Sequence, residues 1–191
     1  MHYCVHLLTK ELPTEKQIYE ILKPYNYENF HSQEKDDENI EYPPFTWDWY
    51  EIGGRYRSGF KLKVDTDGNN DYKWRYIISK DKERNNRLFI SSLLSTLKKG
   101  FEEDWLYHEE DWFTSIGFWD GYIYVDGGKQ KDILNLEDAG CYVCILPDGS
   151  AISRCRWDGR QFIDDDKFDE KYQEALKENM DGFITILDIH D

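Results

Sequence analysis

The chain has little of what small extracellular or membrane proteins rely on. Its four cysteines, at positions 4, 141, 144 and 155 of 191, are too few and too scattered to form a disulfide scaffold. That usage suits a reducing compartment, and the expected localisation is cytoplasmic. No apolar run approaches the ~20 residues of a membrane-spanning helix. The N-terminus lacks a basic stretch followed by an apolar one, so no secretory signal is read there. Basic side chains are also scarce: 24 lysines and arginines face 39 acidic residues, a formal charge of −15. A field of that sign repels nucleic acid and anionic membranes, which excludes a general nucleic-acid-binding role. Nor does the chain carry a Walker or dinucleotide glycine pattern, a G-x-S-x-G elbow or an H-E-x-x-H helix. No cofactor or metal is expected.

What the chain has in excess is aromatic side chains, 16% of the residues, with 7 Trp, 14 Tyr and 10 Phe. These supply core volume, and Trp and Tyr also make stacking surfaces for planar ligands. A chain of this length buries roughly 70% of its unfolded surface and needs no disulfide or metal to fold. One domain over residues 1–191 is expected, with an acidic loop at 28–44 and an acidic aromatic insertion at 100–120.

The compact apolar run from Tyr3 to Thr9 reads as a strand. Thr14 and Gln17 stand in capping-box relation, and Ile18, Ile21, Leu22 and Tyr25 then fall on one helical face up to Pro24. Beyond Gly53-Gly54 a strand is expected, with Tyr56, Phe60, Leu62 and Val64 on one side and Arg55, Arg57, Lys61 and Lys63 on the other. Tyr72 to Ile78 reads as its return strand, and Leu88 to Lys99 as a helix. Tyr122–Val125 and Cys141–Leu146 read as strands, and Pro147-Asp148-Gly149 as a turn. Phe168, Tyr172, Ala175, Leu176 and Met180 make an amphipathic helix, followed by a terminal strand from Phe183 to Ile189. The fold class is therefore α+β: a largely antiparallel sheet with helices packed on one face and both terminal strands in the same sheet.

The segment most able to carry chemistry is Trp47-Asp48-Trp49-Tyr50-Glu51-Ile52-Gly53-Gly54-Arg55. Paired glycines let the backbone come close to a ligand, and their N–H groups can hold an anion beside an arginine fork. Trp47, Trp49, Tyr50, Gly53, Gly54, Arg55 and Arg57 form the expected ligand-binding set. Asp48, Asp188 and His190 are the candidate acid–base groups, on condition that the fold gathers them. Asp188 and His190, two apart on one strand, do not make a dyad by themselves. His2, Cys4 and His6 share a face of the first strand and raise a metal reading only if the last strand lies beside it. Cys141 and Cys144, an odd number apart, are expected on opposite faces of a strand as packing residues.

Together these segments resemble an uncharacterised family of small bacteriophage and bacterial proteins. That family shows a Pro-Thr helix start, a W-D-W-Y-x-I-G-G-R motif, a V-D stretch, a P-D-G turn and a C-terminal D-x-H. Here the matching residues are Pro13-Thr14, Trp47 to Arg55, Val125 to Ile133, Leu146 to Gly149 and Leu187 to His190. The chain departs from the pattern after the turn, where Ala151 to Trp157 replaces a W-H segment, and at Leu187 and Ile189. The resemblance implies a phage setting, hence the host cytoplasm, and no particular activity.

Three functions follow as expectations. The first is a non-enzymatic anti-defence protein that sequesters a small anionic, nucleotide-like immune signal. The second is an acidic inhibitor of a basic host defence protein, an anti-CRISPR or anti-restriction nucleic-acid mimic. The third is a hydrolase using Asp48, Asp188 and His190. Homo-oligomerisation is left open by the sequence.

Overall fold

The computed structural model describes residues 1–11, 13–34, 42–56, 59–63, 103–107, 115–119, 122–136, 139–158 and 160–191. The first strand, β1 (His2–Thr9), leads to helix α1 (Glu15–Leu22). Thr14 caps α1 as anticipated: its side chain accepts from the Gln17 backbone N–H, while the Gln17 side chain reaches back to the Thr14 backbone. After a 3-10 turn containing Pro24 comes α2 (Tyr27–Glu34), in a segment expected to be loop. Asn26 starts it, accepting from the Glu28 N–H through its side chain at 3.2 Å, and Phe30 anchors it in the interior. An Asx start with one apolar anchor is a weaker signal than a full amphipathic stripe.

Next come β2 (Trp49–Ile52), a 3-10 turn at Gly54–Tyr56, and β3 (Phe60–Lys63). They are followed by β4 (Glu103–Tyr107), β5 (Ser115–Trp119), β6 (Tyr122–Val125) and β7 (Gly127–Lys129). The rest of the chain gives β8 (Val143–Ile145), β9 (Ala151–Ser153), β10 (Cys155–Trp157), β11 (Phe162–Asp164), helix α3 (Phe168–Glu178) and β12 (Phe183–His190). The expected return strand at 72–78 and helix at 88–99 lie outside the described residues.

Fold class α+β is what the chain adopts, and the two terminal strands are neighbours. The main sheet runs β2-β12-β1-β8-β9, with β7 also paired to β12. All its pairings are antiparallel except β1 with β8. Strands β3, β6, β5 and β4 form a second, antiparallel sheet in that order, so part of the expected 100–120 insertion is sheet. Strands β10 and β11 form a separate hairpin.

The helices do not share one face of the main sheet. Cys4 and Leu8 of β1 and Ile184 and Ile186 of β12 pack with Phe168, Tyr172 and Leu176 of α3. Val5 and Leu7, with Leu187 and Ile189, pack instead with Ile18 and Leu22 of α1. The reason is legible in β1 itself: a strand apolar on successive residues needs cover on both sides.

Candidate functional site

The W-D-W-Y-x-I-G-G-R segment is β2 and the turn that ends it. β2 pairs with β12 so that Trp49 faces His190, Tyr50 faces Ile189, and Glu51 faces Asp188. β12 in turn pairs with β1, setting His2 opposite His190 and Cys4 opposite Asp188. Directly opposed residues project to the same side of a sheet. Three strands distant in sequence thereby place His2, Trp49, Asp188 and His190 on one face, near one end of the sheet.

The contacts there form two histidine–carboxylate pairs. His2 Nδ1 lies 2.8 Å from Asp188 Oδ1, and His190 Nδ1 lies 2.7 Å from Asp48 Oδ1. A carboxylate only accepts, so each ring carries its proton on Nδ1 and, when neutral, presents Nε2 as the lone-pair nitrogen. The two imidazoles meet edge to face with centroids 4.9 Å apart. The Trp49 indole stacks on His190 at 5.5 Å and 11°, and meets His2 edge-on at 5.4 Å. Asp188 is 1% exposed, whereas the side chains of His190 and Asp48 are 34% and 53% exposed, so the cluster runs from the interior to solvent. Hydrogen bonding from His190 holds the Asp48 carboxyl below its ordinary range; slight desolvation opposes this, and the Trp49 N–H adds to it.

The paired glycines explain how the buried carboxylate fits. At Gly54, with φ +49°, a Cβ would fall 2.4 Å from Asp188 Cβ; at Gly53, with φ +73°, one would fall 2.6 Å from the Asp126 carboxyl carbon. The turn therefore presses its backbone against two acidic side chains, both buried. The Arg55 N–H donates to Asp188 Oδ2 at 2.9 Å, the Gly53 N–H to the Ile186 carbonyl at 2.9 Å, and the Tyr56 N–H to the Gly53 carbonyl at 2.8 Å. The anion cradled by this turn is the chain's own Asp188.

The residues singled out from sequence thus separate into groups. Asp48, Asp188 and His190 come together, linked through His2, which the sequence reading considered only for metal. Trp49 joins them and is 42% exposed. Trp47 does not: it is buried, its indole N–H donates to the Leu22 carbonyl, and it packs edge-on against Tyr50 on the α1 side of the sheet. Tyr50 is half-buried there, and burial pushes its hydroxyl up to about 12, with Glu15 and Tyr19 adding to the shift. Arg55 belongs to a 3-10 turn rather than to a strand, so it does not share a strand face with Lys61; glycine φ values above zero break the extended run. Arg57 lies outside the described residues. Cys141 and Cys144 enter one core cluster instead of opposite faces, because Cys141 precedes β8 and is free of its alternation. Asp126 and His2 are the members that sequence reasoning did not place. The V-D stretch and the alternation of β1 were their signals.

Among the described residues no group of three or more His, Cys, Asp or Glu side chains is arranged to hold a metal ion. No helix among them is long and apolar enough to cross a membrane. Compared with known proteins, the chain matches no family model, no curated protein and no solved structure.

Proposed function

We propose that the two histidine–aspartate pairs are an acid–base site that hydrolyses a small anionic, nucleotide-like substrate. The observation that carries this reading is the pairing itself: two imidazoles 4.9 Å apart, each fixed at Nδ1 by its own carboxylate. Splitting a phosphodiester needs one group to take a proton from the attacking water and another to give one to the leaving oxygen. His190, the more exposed ring, takes the proton at Nε2 as the water oxygen bonds to phosphorus. His2, protonated, donates from Nε2 as the bond from phosphorus to the leaving oxygen breaks. Asp48 and Asp188 orient the rings and offset the positive charge of whichever is protonated, His2 before the step and His190 after it. The exposed Arg55 guanidinium supplies positive charge for the phosphate, and the exposed Trp49 indole a surface on which a base can stack.

A phage-type anti-defence role gives this chemistry a purpose, since cleaving a nucleotide immune signal silences it. Sequestration of the same signal without cleavage is the second reading, favoured by Trp49 and Arg55 alone.

The test is incubation with cyclic and linear oligonucleotides followed by chromatography. New products that vanish in His190→Ala, with a fall of roughly 10²-fold or more in rate, support hydrolysis. Ligand recovered intact but retained by the protein supports sequestration. A protein that neither binds nor alters any member of the panel overturns both.

A further inference from the structure

A cavity opens on the opposite side of the sheet from the histidine–aspartate cluster, on the side where Tyr3 and Tyr142 pack. It encloses about 680 Å³ between β1, the 42–46 segment and the β10–β11 hairpin. That volume falls within the range of small-molecule sites, which are apolar with a few placed polar groups.

Its walls are mostly rings. Tyr3 and Tyr142 stack at 5.7 Å and 20°, and Trp157 meets Phe162 edge to face at 5.1 Å. Tyr42, Pro43 and Pro44 line it from the 42–46 segment. Trp157 is 36% exposed and Phe162 66% exposed, so two large rings on a two-stranded hairpin are left only partly covered. Single exposed apolar residues are ordinary, but two in contact with each other and lining an aromatic cavity are the kind of patch that marks a ligand groove.

The charge of the lining selects among ligands. None of the described lining residues is Lys, Arg or His, and the Met1 ammonium is held on the Asp191 carbonyl. The Asp191 carboxyl interacts with the Tyr3 hydroxyl, the Tyr142 hydroxyl meets the Cys155 thiol, and the chain as a whole carries −15. A phosphate or carboxylate would find no side-chain cation here, only the Met1 ammonium already engaged at Asp191 beside that residue's own carboxylate, unlike beside Arg55. A flat ring would find faces to stack on, and a positive charge would gain further from them and from Asp191.

We propose that this cavity binds a planar aromatic molecule that is neutral or cationic, at a site separate from the histidine–aspartate cluster.

Three acridines with one ring system and different charges test it: acridine, 9-aminoacridine and acridine-9-carboxylate. Binding is followed by their fluorescence in 0.5 M salt, which suppresses loose attraction of cations to an acidic surface. The first two are expected to saturate at one site, with acridine-9-carboxylate at least about tenfold weaker. Trp157→Ala and Phe162→Ala, each checked for native circular dichroism, are expected to weaken acridine binding about fivefold or more, as losing a stacking partner does. Trp157→Ala is also expected to leave any turnover at the histidine–aspartate cluster unchanged. No saturable acridine binding, equal affinity for the carboxylate, or affinity indifferent to both folded variants would overturn the proposal.

Discussion

At Gly54 the space for a side chain is already occupied by Asp188, and this single residue shows why the motif carries two glycines. A methyl at this position would sit 2.4 Å from Asp188 Cβ on a backbone with φ +49°. Two costs combine: about 1–2 kcal/mol for left-handed backbone in an alanine, and about 1–3 kcal/mol if the Arg55 N–H and the carboxylate lose each other. Gly54→Ala is expected to lower stability in urea by about 3 kcal/mol. Gly149→Ala separates the two causes, because φ is +87° there but nothing lies within 4 Å of the added carbon. It should cost only the backbone part; equal losses would show that the Asp188 contact contributes nothing. Asp48 makes a second residue-scale prediction. A carboxyl held low in the folded state contributes stability that is present above its unfolded value, about 3.9, and is lost as pH falls through the folded one. His190→Ala removes the principal cause, so the Asp48 carboxyl followed by NMR is expected to titrate at higher pH in the variant.

Helix α1 has only eight residues, too short to persist on its own, and depends on its cap and on Ile18 and Leu22 entering the core. Thr14→Ala removes the side-chain arm of the capping box, leaving the backbone N–H of residue 14 on Gln17 Oε1, and is expected to cost about 1 kcal/mol, read as a lower urea midpoint with unchanged slope. Such locally written elements were legible from the residues alone. β1, α1, α3, β12 and the turn at Gly149 all follow from periodicity, caps and turn chemistry within a few residues. What could not be read was pairing. Nothing near His2 announces Asp188, 186 positions away, until β1 and β12 lie side by side. The candidate site was half visible for the same reason: Asp188 and His190 stand out, but the sequence cannot say that Asp188 takes His2 and His190 takes Asp48. Arg55 was misplaced because the alternation beyond Gly54 imitates a strand, while positive φ at both glycines turns the chain first. Motif position says nothing about which way a ring turns, so nothing in the sequence separates the buried Trp47 from the exposed Trp49.

Across the whole molecule the main sheet separates two cores, one under α3 and one under α1, and strands β1 and β12 contribute to both. Sharing two strands should make the two halves unfold as one unit, since neither face can lose its cover without exposing the common strands. The cysteines give a direct measure. Cys4, Cys141 and Cys144 are buried in the α3 core, and burial pushes the thiols of Cys4 and Cys141 upward, suppressing the thiolate that reacts. Cys155, beside Tyr142 on β10, is partly exposed. In the native protein a disulfide reagent is therefore expected to label one thiol readily and the other three only through opening. The free energy of that opening should equal that of hydrogen exchange at the Ile18 and Leu22 amides, which report on the α1 side. If the three thiols become reactive while those amides stay protected, the α3 core opens by itself, and the shared strands do not bind the two halves into one cooperative unit.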